Sequence, residues 1–148
     1  MPKFRPMVQG DLPQVCAIEV ESFSMPWSAM LFDSELKNPE VCTWIVAAGE
    51  EDAVLAYGGF WKAVDEAHFT NLAVRPDQRR TGLGKALLQE ILKTAKARGC
   101  IRATLEVRPS NTAAVALYEQ AGFTAAALRP RYYSDDGEDA LLMWLNQL

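Results

Sequence analysis

Between residues 83 and 99 apolar side chains recur every three to four positions. Gly84, Leu87, Leu88, Ile91, Leu92 and Ala95 fall on one stripe, with Lys85, Gln89, Lys93 and Lys96 elsewhere, which predicts an amphipathic helix. Lys96 and Arg98 suit the negative end of its dipole, and Gly99 is the expected C-cap. The period then changes. In Ile101–Val107, Ala103, Leu105 and Val107 alternate with Arg102, Thr104 and Glu106, which predicts a strand. Nearer the start, Leu12, Val15 and Ile18, with Glu19 at the margin, share one side of a helix from Asp11 to about Phe23. Pro26 in FSMPWS breaks that pattern, and Ser28 is the expected cap of a second helix reaching about Leu36. Phe4–Met7, Thr43–Ala48, Val54–Trp61 and His68–Val74 are predicted strands, the middle two joined by a GEED turn and the last ended by Arg75-Pro76. Ser110 or Asn111 opens a helix to about Ala121, closed by Gly122; FTAAAL and DALLMWL supply two final strands around a polar RPRYYSDDGE connection. The order β-α-α-β-β-β-α-β-α-β-β predicts a mixed α/β domain built on one central sheet.

The chain has 148 residues, a length that predicts one domain, and it carries no repeat or linker. Its composition, 49% hydrophobic and 23% charged, is ordinary for a globular protein. A net charge of −4 argues against general nucleic-acid binding, so basic residues must act in local patches. No run spans a bilayer and no secretory signal pattern opens the chain. The expectation is a cytoplasmic protein with no membrane partner. Cys16, Cys42 and Cys100 form no CxxC motif and fit a reducing compartment as small buried hydrophobes. His68 is the only histidine, and without paired Cys or His a metal site is not expected.

Candidate chemistry starts at DQRRTGLGKALLQEIL, Asp77–Leu92. The first amides of a helix lack intrahelical partners, and glycine lets an anion approach them closely. The dipole alone contributes only about 0.3–1 kcal/mol at an exposed site, so retention of a phosphate requires Arg79, Arg80 and Lys85 as well. By itself the stretch fits a solvated basic turn equally well. It lacks the GxxxxGK[ST] of a P-loop. A GxGxxG dinucleotide fingerprint fails at its third glycine, where Leu87 stands, and although Glu106 lies about 20 residues on, RPDQRRT separates the glycines from the preceding strand.

Arg79-Arg80-Thr81-Gly82-Leu83-Gly84 resembles the R/Q-x-x-G-x-G/A loop of the GNAT acetyltransferases, and NLAVRPDQRR and LEVRPSNTAAVALYEQAGF resemble the flanking blocks of the same family. FSMPWS and RYYSDDGEDALLM extend the likeness over nearly the whole chain, to the bacterial N-terminal acetyltransferases of ribosomal protein S18. The resemblance implies the GNAT (acyl-CoA N-acyltransferase) fold, a mixed, mostly antiparallel sheet flanked by about four helices. It implies acetyl-CoA as cosubstrate, no metal, and a peptide N-terminus such as that of S18 as acceptor. A monomer is the working expectation. The pyrophosphate would lie on Arg79, Arg80, Thr81, Gly82, Leu83, Gly84 and Lys85.

The implied reaction moves acetyl from a thioester to an amine. A peptide α-amine titrates near 7.7–8.0 and is mostly protonated at neutral pH, so a base is required. Glu106, on the polar side of its strand, is as well suited by spacing to a salt bridge; the resemblance makes it the general base, acting through a water. Asn111, Ala114 or Val115, and Tyr118 share one side of their helix. Tyr118 reads by itself as a core aromatic; the resemblance makes it the general acid and gives Asn111 a cofactor contact. Main-chain groups of Leu72, Ala73 and Val74 would hold the acetyl and pantetheine portions, and Tyr132, Tyr133, Phe23 and Trp27 would flank the peptide, although loop packing accounts for those four equally well. Acetylation of a small amine, such as a polyamine or an antibiotic, and an acyl-CoA-binding module without turnover remain rival readings.

Overall fold

The computed structural model describes residues 2–148. The strands are β1 Lys3–Pro6, β2 Cys42–Ala48, β3 Val54–Ala63, β4 Glu66–Val74, β5 Arg102–Val107, β6 Thr124–Arg129 and β7 Ala140–Leu145. The helices are α1 Leu12–Ser22, α2 Ala29–Leu36, α3 Leu83–Ala97 and α4 Thr112–Gln120. The order is the predicted one. All seven strands form one sheet in the spatial order β1-β2-β3-β4-β5-β7-β6, and only β4 and β5 run parallel.

The sheet is covered on both faces, which is why β2 and β3 read as nearly continuous apolar runs rather than as alternating ones. Ile45 and Ala47 of β2 face a core shared with Leu87, Leu88, Ile91 and Ala95 of α3 and Tyr118 of α4. Trp44 and Val46 face the other core, with Leu12, Val15 and Ile18 of α1 and Phe32 of α2. Gly59 admits close contact between β2 and β3: a Cβ there would lie 2.5 Å from both the Thr43 carbonyl and the Trp44 ring. The register of β3 against β4 shifts between Gly58 and Phe60.

The parallel pair positions the site. β4 and β5 pair only over Glu66–His68 and Arg102–Thr104. Beyond His68 the strands part, and among the described residues Phe69–Val74 has no register partner on β5. The sheet is therefore forked from His68 onward.

Two expectations shift within the strands. Met7 lies past β1, buried in the α1-side core. Thr104, expected on the polar side of its strand, is buried, and its hydroxyl donates to the Met143 carbonyl at 3.0 Å because β7 runs alongside. Strand β6 is exposed along its whole length, as the outer edge of the sheet. Cys42 and Cys100 are buried, Cys16 is half-buried, and burial raises all three thiols. Among the described residues no helix is long and apolar enough to cross a membrane.

Candidate active site

A cleft of about 680 Å³ opens in the fork. Its walls include Leu72 of β4, Glu106 of β5 and Asn111, Ala114 and Tyr118 from α4 and its start. The α1–α2 connection contributes Phe23 and Trp27, and the β6–β7 connection contributes Tyr132 and Tyr133. The expected acid, base and acceptor-side residues thus border one space. Ala73 is buried in the α1-side core, so only its main chain is available to a ligand.

The glycine turn stands at the N-terminus of α3. Arg80 and Gly82 both adopt left-handed backbone, at φ 63° and 84°. Alternation of this kind turns successive amides towards one point and makes an anion-binding nest. The first α3 amide with a backbone partner in the helix is that of Ala86, donating to Gly82 at 3.1 Å. Among the described residues the amides of Gly82, Leu83, Gly84 and Lys85 have no such partner. A Cβ on Gly82 would have no heavy atom within 4 Å, so the space above the turn is open. These features fit a diphosphate. Arg79 departs from its expected role. Its guanidinium turns inward, Nε donating to the Val74 carbonyl at 3.1 Å and Nη2 to Ser22 Oγ at 3.2 Å. It braces the turn against β4 and α1. Thr81 Oγ1 likewise donates within the turn, to the Gln78 carbonyl at 2.6 Å. All three cations of the turn are exposed, but among the described residues only Arg80 and Lys85 make no side-chain hydrogen bond.

Glu106 is 9% exposed at its side chain, and its Oε2 stands 2.8 Å from Nε2 of His68. Arg129 approaches its other oxygen at 3.7 Å. The hydrogen bond from His68 holds the Glu106 carboxyl below the usual range; burial opposes this, and the charges of His68 and Arg129 reinforce it. Tyr118 is 9% exposed, with its ring edge-on to Phe123 at 5.7 Å. Burial pushes its phenol up to about 12. Among the described residues its hydroxyl meets no protein partner, although no buried side-chain oxygen or nitrogen is left without one, so the hydroxyl opens on the cleft. Asn111 caps α4, accepting from the Ala114 amide at 3.2 Å.

Two polar clusters brace the end of the cleft lined by Phe23, Trp27, Tyr132 and Tyr133. Glu19, 1% exposed, accepts from the Tyr57 hydroxyl, from Asn71 Nδ2 at 2.9 Å and from the Trp27 amide at 3.0 Å. It ties the FSMPWS segment to α1 and β4. Trp27 also packs against Phe32 and Trp44, with centroids 5.2 and 5.5 Å away, so it serves the core and the cleft wall at once. Arg108 stacks on Tyr133 at 3.9 Å and pairs with Asp135 at 2.8 Å, Asp136 at 3.0 Å and Glu138 at 3.3 Å. Ser24 donates to Asp135, joining the α1–α2 and β6–β7 connections. Burial pushes the Tyr133 phenol up to about 12 despite Arg108 beside it. Sequence reasoning missed His68, Asn71, Arg108 and Asp135 as site residues. Glu19 did carry a signal, since a carboxylate on the buried side of a helix needs donors.

The profile of the Acetyltransferase (GNAT) family matches residues 12–123. An Escherichia coli K12 protein named [Ribosomal protein bS18]-alanine N-acetyltransferase is 39% identical over 137 residues, covering 91% of this chain and 90% of its own length. A Bacillus subtilis protein with a provisional form of that name is 38% identical over 142 residues, covering 95% of this chain and 93% of its own. The crystal structure of the ribosomal-protein-S18-alanine N-acetyltransferase from Escherichia coli superposes with a TM-score of 0.88 at 36% identity, covering 100% of this chain and 96% of that one. The matched segment runs from the first residue of α1 to the residue before β6 and takes in the glycine turn, the fork and α4; the chain belongs to the Acetyltransferase (GNAT) family.

Proposed function

We propose that this chain transfers acetyl from acetyl-CoA to the N-terminal alanine amine of ribosomal protein S18, in the cytoplasm, by direct attack with both substrates bound. The observation that carries this reading is that a carboxylate, Glu106, and a phenol without a protein partner, Tyr118, line one cleft; the glycine turn borders the same helix, a Cβ on Gly84 lying 3.8 Å from Leu117 of α4. Relatives bearing the S18 name over nine-tenths of the chain support the acceptor.

Acetyl-CoA supplies an activated thioester. The residues supply the rest. The amides of Gly82 to Lys85, with Arg80 and Lys85, hold the diphosphate, while Arg79 and Thr81 keep the turn in shape. Asn111 lies along the cofactor path. The free edge of β4 at Leu72–Val74 offers main-chain donors to the acetyl oxygen, a contribution typically worth about 3–4 kcal/mol in the transition state. Proton removal from the amine belongs to the Glu106 end of the cleft, and Tyr118 faces the departing sulfur. The C–N bond forms as the C–S bond breaks, so no residue becomes acylated. Phe23, Trp27, Tyr132 and Tyr133 border the acceptor.

Incubation with acetyl-CoA and a panel of N-terminal peptides, alongside polyamines and aminoglycosides, tests the reading. Acetylation of an alanine-starting S18 peptide is expected. Turnover of free amines alone would replace the acceptor, and binding of acetyl-CoA without any turnover would make the chain a binding module.

A further inference from the structure

Glu106 is not the end of its own hydrogen-bond chain. His68 is the last β4 residue paired with β5, opposite Thr104, and Glu106 lies two residues further along β5. The 2.8 Å contact between them therefore closes the base of the fork. Both side chains line the cleft, but His68 is 36% exposed against 9% for Glu106, so the imidazole is the more accessible of the two. An ionised carboxylate only accepts, so Nε2 of His68 carries the hydrogen, and in the neutral imidazole Nδ1 then has the lone pair. Among the described residues Nδ1 has no hydrogen-bond partner. Trp61 stands edge-on to the ring at 6.0 Å, itself held by its indole N–H on Glu35 at 2.7 Å. The imidazole is thus oriented from two sides, with one nitrogen left over.

We propose that His68, oriented by Glu106, takes the proton from the acceptor amine at Nδ1, directly or through one water, and that Glu106 acts as its positioning residue. The proposal rests on the acetyl-transfer reading. In the step, R–NH3+ gives one proton to Nδ1, and the resulting imidazolium returns it to solvent. The free amine attacks the thioester carbon, the C–N bond forms and the C–S electron pair leaves on sulfur. The second nitrogen proton is lost, one proton is taken up by the thiolate, and the products are an amide and a thiol with one proton released overall.

The chemistry favours an imidazole over a lone carboxylate. A free carboxyl titrates more than three units below an α-ammonium, an imidazole only about one to one and a half, and proton transfer is most effective between matched groups. The charged and titratable groups around His68 are Glu106 from β5, Glu66 with Arg102 further along the pair, Glu35 behind Trp61, Arg129 beyond Glu106, and Tyr132, which the Glu106 charge reaches.

The test compares wild type, His68→Gln, His68→Ala and Glu106→Gln with the best acceptor peptide of the panel, reading kcat against pH and the Kd of acetyl-CoA. Both His68 variants are expected to lose about 100-fold or more in kcat with acetyl-CoA affinity within about twofold. The acid limb of the pH profile should shift upward in His68→Gln, to the titration of the acceptor amine itself, and added imidazole should restore part of the activity of His68→Ala but none to Glu106→Gln. A His68→Gln enzyme that keeps more than about a third of wild-type kcat with an unchanged profile overturns this proposal alone. Failure of the wild type to acetylate any amine overturns the acetyl-transfer reading, and this proposal with it.

Discussion

Replacing Tyr118 with phenylalanine removes one oxygen and nothing else from the cleft wall. The ring stays against Phe123 at 5.7 Å, and no hydrogen bond within the protein is lost, so stability should change by less than about 1 kcal/mol. In a domain of this size that is a Tm shift of about 2–4 °C at most. The rate effect follows from what the phenol can do. Burial raises it to about 12, whereas an ordinary thiol titrates near 8.5. Full proton transfer from the tyrosine to a leaving thiolate is uphill by about 3.5 units, or about 5 kcal/mol. The side chain is therefore better suited to donate a hydrogen bond to the developing thiolate than to give up its proton. A hydrogen bond to a charged group contributes about 1.5–3 kcal/mol, which predicts a fall in kcat of about 10- to 150-fold. Acetyl-CoA Kd, measured by calorimetry, should stay within about threefold. Steady-state turnover with the S18 peptide decides the matter. A loss under about threefold removes Tyr118 from the chemistry, and one beyond about 1,000-fold shows that it transfers its proton outright.

Arg80→Ala should raise the Kd of acetyl-CoA by about 5- to 10-fold, about 1–1.4 kcal/mol, and lower kcat less than twofold; Arg79→Ala should instead cost stability in a thermal melt, because its guanidinium braces Val74 and Ser22. Gly82→Ala should cost only the left-handed backbone strain of φ 84° with open space around it, about 1–2 kcal/mol in denaturant titration, whereas Gly59→Ala, whose Cβ would meet main chain and indole at 2.5 Å, should cost clearly more. Glu106 is held below its unfolded value of 4.5 chiefly by the His68 hydrogen bond. Its contribution to stability is therefore complete above that value and lost as pH falls through the lower folded one, so urea titrations of Glu106→Gln should show a shallower acid decline than wild type below about pH 4.5.

Legibility tracked the range of the interactions. Helix α3 announced itself because its buried residues, Leu87, Leu88, Ile91 and Ala95, recur at helical spacing within a few turns. Ser28 was legible as a cap, and Asn111 as one of two candidates beside Ser110, because such side chains accept from an amide three residues on. The glycine turn was visible as a motif, but not the inward swing of Arg79, which depends on Ser22, 57 residues away. The His68–Glu106 contact spans 38 residues and the Ser24–Asp135 contact 111. Nothing in local period or propensity encodes such pairs. The fork was equally hidden, since a strand that leaves its neighbour keeps the same alternation of side chains as one that stays.

That fork gives the molecule a strand edge in its interior. On the outside of a protein such an edge recruits further strands and invites aggregation. Between β4 and β5, with α4 and two connections bordering the opening, a folded neighbour cannot reach it, but a slender guest can. Pantetheine and a single peptide terminus are both narrow and lined with amide groups. The stickiness that other sheets must suppress at their margins here becomes a private slot, sorting visitors by girth before any chemistry begins.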